Sequence, residues 1–124
     1  MIPFIDLQAQ RARIADKIDA AVSKVVRSGA YIFGPEVKQL EGELAAFAQV
    51  KHCIANANGT DALVLPLWAW GVGEGDAVFC PSFTFAATAE IAPWVQATPV
   101  FVDVLPDTYN MDPASLEAAI AGVK

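Results

Sequence analysis

The segment "NANGTDAL" sets Asn58, Gly59, Thr60 and Asp61 between an apolar, strand-like run and a helix-like one. Glycine lets a ligand approach the backbone closely. The N–H groups of Thr60 and Asp61 open a helix whose dipole favours an anion, and the Thr60 hydroxyl adds a donor. The Asp61 carboxylate opposes a phosphate unless it points outward along the helix while its N–H faces in. The same four residues also suit a plain tight turn in which Asn58 or Thr60 caps the helix. A second stretch, "PSFTFAAT", offers Phe83 and Phe85 at the end of another strand-like run. An aromatic ring there either joins the core or stacks on a planar heterocycle, a contact worth about 1 kcal/mol beyond its burial. An anion cradle beside a stacking ring describes a planar, phosphorylated cofactor.

Other chemistries lack their residues. "GVGEGD" precedes a strand instead of following one, so it is no dinucleotide fingerprint, and no GxxxxGK[ST] occurs. Cys53 and Cys80 lie in apolar segments without CxxC spacing, which reads as free thiols in a reducing compartment. His52 has no cysteine or carboxylate at ligand spacing, so no metal site is expected.

Elements must place these loops. Ile14, Ile18, Ala21, Val22 and Val25 form a helical stripe that stops at Ser28-Gly29, and a second helix starts at Pro35 with Val37, Leu40, Leu44 and Phe47 as its apolar face. Between them, "SGAYIFGP" is too aromatic for a plain linker. "HCIANAN" then reads as a strand and "GTDALVLPLWAWG" as a helix that Pro66 kinks or delays. "AVFCPS" is a strand and "TFAATAEIAPWVQA" a helix that Pro93 ends or bends. "TPVFVDV" is a third strand, and Asp112-Pro113 opens a last helix. Apolar strands alternating with helices indicate an α/β fold with a parallel sheet covered on both faces. Ligands of such sheets sit beyond the C-terminal strand ends: at Asn58–Asp61, at Pro81–Phe85 and after Asp103. Three strands with an exposed last edge make an unlikely finished sheet, so the chain reads as the front part of a larger domain.

With 124 residues, one partial domain is expected, about 1–50 as helices and loop and 51–124 as βαβαβα. A net charge of −6 and a pI near 4.5 argue against nucleic acid or an anionic membrane as partner. Neither a membrane span nor a signal-peptide pattern is visible, which fits a cytoplasmic protein. The 55% hydrophobic content and mean hydropathy of +0.40 suggest that apolar surface awaits further protein.

"FIDLQAQ", "SGAYIFGPEVKQLEGELAAFAQVKHCIANANGTDAL", "GVGEGDAVFCPSFTFAATAE" and "ATPVFVDVLPDTYNMDP" together resemble the opening of the DegT/DnrJ/EryC1/StrS family. The resemblance implies the large domain of a type I pyridoxal-phosphate-dependent aminotransferase, with a parallel-rich sheet flanked by helices. It implies an enzyme that converts a nucleotide-linked keto-sugar to an amino sugar, with glutamate as donor, for cell-surface polysaccharide or secondary-metabolite sugars. It assigns Gly59, Thr60 and Asp61 to the cofactor phosphate, Phe85 to the pyridine ring, and Tyr31 and Phe33 to the sugar nucleotide. "TAE" at Thr88–Glu90 resembles members acting on 3-keto uronic acid sugars. A homodimer with its active site at the subunit interface is implied as well.

No catalytic residue is assigned. The Schiff-base lysine and the pyridinium-binding aspartate of the family match no position here. Lys17, Lys24, Lys38, Lys51 and Lys124 read as solvated charges, and Asp103 as a structural position. This chain by itself is therefore expected to be inactive. A pyridoxamine-dependent sugar dehydratase of the same fold, with histidine for the lysine, and a non-catalytic remnant remain open alternatives. Pro66, Trp68, Trp70 and Trp94 depart from the family pattern.

Overall fold

The computed structural model describes residues 4–123, so Lys124 and the first three residues of the N-terminus lie outside the described residues. The chain divides into two compact units, Met1–Ala55 and Asn56–Lys124.

The first unit is helical. A short helix not foreseen from periodicity, α1 (Leu7–Ala12), is capped by Asp6, whose Oδ1 accepts the Ala9 N–H at 2.9 Å. The expected stripe forms α2 (Ala15–Ser28). Asp16 in its first turn and Arg27 in its last complement the dipole, and Gly29 ends it at φ +69°, where a side chain would be strained. Helix α3 (Pro35–Ala48) starts with proline at its first position, as expected. Gly34, immediately before it, is buried, and a Cβ there would run into the Ala30 carbonyl oxygen. Few side chains of this unit are buried: Phe4, Ile32, Phe33 and Phe47 are each more than four-fifths exposed. High hydropathy thus appears as uncovered apolar surface rather than as a large core.

The second unit carries the sheet. Helix α4 (Gly59–Ala69) leads to strand β1 (Ala77–Pro81), helix α5 (Ala87–Trp94), strand β2 (Thr98–Val102) and helix α6 (Pro113–Gly122). Strands β1 and β2 are parallel, in a register that runs from Ala77 opposite Thr98 to Pro81 opposite Val102. Val64 of α4, Ile91 and Ala92 of α5, and Val95 and Ala97 form the buried cluster, with Leu67, Val72 and Val78 packed against it. Asp112 caps α6 through Oδ1, which accepts the Ala114 N–H at 2.9 Å, with Pro113 next, as the sequence predicts.

Three expectations need correction. Residues 52–57 form no strand, so the second unit opens on a loop and its sheet has two strands among the described residues. A strand needs a ladder partner, and here the Ala55 N–H donates instead to Glu41 Oε1 at 2.9 Å. Pro66 does not delay α4, which starts at Gly59 and ends three residues beyond the proline, with the Trp70 N–H donating to Pro66 O at 3.0 Å. Proline near a helix end sacrifices a single intrahelical bond. Helix α5 begins at Ala87 instead of Thr84 and ends just after Pro93. Its entry is a tight turn, in which the Thr88 and Ala89 N–H groups donate to the Phe85 and Ala86 carbonyls at 3.0 Å each.

Candidate cofactor site

A cleft of about 370 Å³ opens where the N-terminal ends of α4 and α5 meet, lined by Gly59, Thr60, Leu63, Phe85, Ala87 and Thr88. That volume is at the small end of the range for small-molecule sites. It borders the loop that follows β1, at a C-terminal strand end, where open α/β sheets receive ligands.

Helix α4 supplies the donors. Asn58 is its cap, in extended backbone, and its Oδ1 accepts the Asp61 N–H at 2.9 Å. Gly59 and Thr60 occupy the first two helical positions, whose N–H groups have no acceptor within a helix. Residues carrying two uncommitted backbone donors and a hydroxyl therefore line the cleft at the positive end of the dipole. At the start of α5 the Thr88 and Ala89 N–H groups are already taken by the Phe85 and Ala86 carbonyls, so α4 brings the larger set of uncommitted donors. Gly59 has room as well: a Cβ built there meets nothing within 4 Å.

The ring comes from the loop after β1. Phe83 and Phe85 are both exposed, but Phe83 is engaged with Tyr109, their centroids 5.3 Å apart at 37°. Phe85 lines the cleft, is 79% exposed and has no ring partner among the described residues. Of the two aromatics singled out in the sequence, Phe85 is the one with a free face.

The structure thus brings together Gly59, Thr60 and Phe85. It departs from the sequence reading at Asp61, whose N–H does not face the cleft because Asn58 accepts it. The Asp61 carboxylate in turn accepts from Asn58 Nδ2 at 3.1 Å. Both groups of Asp61 are thus engaged with the cap residue. The signal was in the sequence, since a polar cap followed three residues later by an acid is the spacing of a reciprocal cap. Thr88, Leu63 and Ala87 also line the cleft and were not named as site residues; their signal is that they follow Thr60 and Phe85 by about three residues.

Tyr31 and Phe33 belong to the first unit. The Tyr31 hydroxyl donates to Val26 O at 2.9 Å, and Phe33 is 82% exposed with a positive φ of 49°. Asp103 is structural: its N–H donates to Ser115 Oγ, its carboxylate accepts from the Val104 N–H, and its carbonyl accepts from the Asp112 N–H.

A larger hollow of about 680 Å³, bordered by Trp70, Val78, Phe79, Leu116 and Ile120, lacks such donors. Its one carboxylate, Asp76, already accepts the Gly73 N–H at 2.9 Å. Among the described residues no cluster of three or more His, Cys, Asp or Glu could hold a metal, and no helix is long and apolar enough to cross a membrane.

The family model described as the DegT/DnrJ/EryC1/StrS aminotransferase family matches residues 12–123. UDP-2-acetamido-2-deoxy-3-oxo-D-glucuronate aminotransferase of Pseudomonas aeruginosa is 58% identical over 120 residues, which are 97% of this chain and 33% of that protein. The crystal structure of a DegT DnrJ EryC1 StrS aminotransferase from Brucella abortus superposes with a TM-score of 0.95 at 60% identity, over 98% of this chain and 33% of the other. NtdA from Bacillus subtilis, solved with bound cofactor PMP, gives a TM-score of 0.90 at 29% identity, covering 98% of this chain and 28% of its own. The chain spans about a third of the length of the relatives it matches.

Proposed function

The chain belongs to the DegT/DnrJ/EryC1/StrS aminotransferase family, and from that premise we propose that its cleft is the phosphate-and-ring half-site for pyridoxal 5′-phosphate in a sugar-nucleotide aminotransferase. The observation that carries this reading is the pairing of the free Gly59 and Thr60 N–H groups with the unpartnered Phe85 ring across one cleft. The residues fit the group. The Gly59 and Thr60 N–H groups and the Thr60 hydroxyl at the α4 N-terminus would hold a dianionic phosphate, and Phe85 would offer its face to a planar pyridine. When bound, the cofactor supplies an electron sink for carbanionic character at the substrate carbon.

The roles of this chain are binding and orientation. Thr60 and Gly59 fix the phosphate end, and Phe85 limits the tilt of the ring. Asn58 and Asp61 keep the helix end closed on itself, so that the Asp61 carboxylate is spent on an amide and not turned toward the phosphate. Among the described residues no lysine lines the cleft, so the amine chemistry falls to residues outside this set. The substrate we propose is a UDP-linked 3-oxo-uronate sugar, aminated with glutamate as donor. Support comes from the Pseudomonas aeruginosa relative at 58% identity and from the "TAE" stretch at Thr88–Glu90. Tyr31 and Phe33 are proposed as sugar-nucleotide contacts, in a homodimeric, cytoplasmic protein.

The test is Thr60→Ala in the intact protein that carries this chain, with pyridoxal phosphate affinity read by absorbance titration. Loss of a charge-assisted contact weakens binding by about 1.5–3 kcal/mol, roughly 10- to 150-fold. Unchanged affinity would remove Thr60 from the phosphate site.

A further inference from the structure

A stacking ring restricts a cofactor only if the ring itself is held, and Phe85 is held by very little. Its side chain is 79% exposed and no other ring packs on it. What fixes it is the backbone of its loop. Upstream, the Ser82 N–H donates to Val102 O at 2.8 Å, tying the loop to the end of β2. Downstream, the Thr88 N–H donates to the Phe85 carbonyl at 3.0 Å. Spanning Phe85, the Thr84 and Thr88 hydroxyls lie 3.1 Å apart, in hydrogen-bond contact. Helix α5 has Ala86 at its cap position and no side-chain cap bond. The Thr84 hydroxyl is committed across the turn to another side chain rather than to the helix end.

We propose that the Thr84–Thr88 hydroxyl pair is a positioning clip that sets the Phe85 ring against the cofactor, a role that rests on the cofactor reading of the cleft. The clip closes a loop of three residues, Phe85 to Ala87, whose first member carries the ring and whose last is buried in the unit. It fixes the exit direction of the Phe85 side chain without touching the ring. Thr88 lines the cleft as well, and Thr84 does not. Thr84 is therefore the residue at which a pure positioning effect can be read, free of any direct ligand contact. The clip also accounts for the late start of α5: with Thr84 and Thr88 joined by their side chains, the turn enters the helix through the Phe85 and Ala86 carbonyls.

The experiment is a double-mutant cycle in the intact protein, using pyridoxal phosphate as probe. Affinity is read by titration, and ring immobilisation by the circular dichroism of the bound cofactor band. Thr84→Val keeps the shape of threonine and removes the hydroxyl. It is expected to weaken binding about fivefold and to diminish the dichroic band, and Thr84→Ser restores both. In a Phe85→Ala background the same Thr84→Val change is expected to cost nothing further, because the ring it positions is gone. Thermal unfolding of the cofactor-free forms confirms that the variants fold, and Thr88→Val repeats the measurement from the other end of the clip. Thr84→Val binding like the parent, or costing the same factor with and without Phe85, would overturn the clip. If Thr60→Ala and Phe85→Ala both bind cofactor like the parent, the cleft reading fails and the clip with it. If those two weaken binding and Thr84→Val does not, the clip alone fails.

Discussion

Asn58 and Asp61 are joined by two hydrogen bonds: Asn58 Oδ1 accepts the Asp61 backbone N–H at 2.9 Å, and Asn58 Nδ2 donates to Asp61 Oδ2 at 3.1 Å. The first bond caps α4. The second holds an acidic side chain, one residue from the proposed phosphate cradle, on a neutral amide. A single pair thus frees the Gly59 and Thr60 donors for a ligand and keeps a repelling carboxylate occupied.

Two substitutions separate the halves of this clasp. Asn58→Ala removes the cap and is expected to lower stability by about 1 kcal/mol, read by denaturant unfolding. Asn58→Asp keeps an acceptor for the helix N-terminus and so retains most of that stability. It loses the amide donor and sets two carboxylates side by side, so pyridoxal phosphate binding is expected to weaken even though the helix survives. Equal cofactor affinity in Asn58→Asp and the parent would show that the charge near the cradle does not matter.

Gly59 is free of the strain that usually explains glycine, since an added methyl would meet no protein atom within 4 Å. Gly59→Ala is therefore expected to leave the unliganded protein as stable or to stabilise it by up to about 0.5 kcal/mol. Cofactor affinity is expected to fall about tenfold or more, because the methyl stands where an anion must approach the backbone. Calorimetric unfolding and a cofactor titration on the same sample test both halves. Loss of stability without loss of affinity would contradict the cradle.

The two thiols differ in reach. Cys80 is buried in β1, its Sγ 3.7 Å from Val100 O, and burial pushes its thiol pKa up. Cys53 is only half-buried, in the loop before α4. Alkylation of the native protein near pH 7.5, followed by mass spectrometry, is expected to modify Cys53 and spare Cys80 until denaturant is added. Modification of both at similar rates would place β1 closer to solvent than the structure does.

The first unit carries a pH-sensitive pair. Lys24 Nζ of α2 lies 2.8 Å from Glu36 Oε1 of α3. The side-chain hydrogen bond to Lys24, followed by the backbone bond at Glu36 itself, lowers the Glu36 pKa. A carboxyl depressed by folding contributes stability that is present above its unfolded pKa and is lost as pH falls through the folded one. The stability difference between the parent and Glu36→Gln is accordingly expected to be level from pH 6 to 8, to shrink below about pH 4 and to narrow in high salt. Because the pair is exposed, the difference is small; a difference that grew on acidification would rule out its assignment.

Much of the fold was legible locally. Gly29 stops α2 because only glycine takes its left-handed backbone without strain, Pro35 opens α3, and Asp112 with Pro113 opens α6; each depends on residues a few positions apart. The strands at 77–81 and 98–102 were legible for a similar reason, as short apolar runs bounded by turn residues. The failures were not local. "HCIANAN" is as apolar as a strand, yet the Ala55 N–H is taken by a Glu41 side chain fourteen residues away, and no composition reveals such a pairing.

The candidate site divides along the same line. The sequence by itself determined that Gly59 and Thr60 open a helix and that an aromatic pair follows β1. These follow from residue type and spacing, because capping and helix dipoles act within one turn. The choice of Asn58 over Thr60 as the cap is a local one that the spacing to Asp61 already favours, whereas only the tertiary structure decided that Phe83 is taken by Tyr109 while Phe85 stays free. Which of two equivalent donors or rings is left for a ligand depends on what the others touch. Those partners are fixed by how the turns and helices pack, which the order of residues does not state.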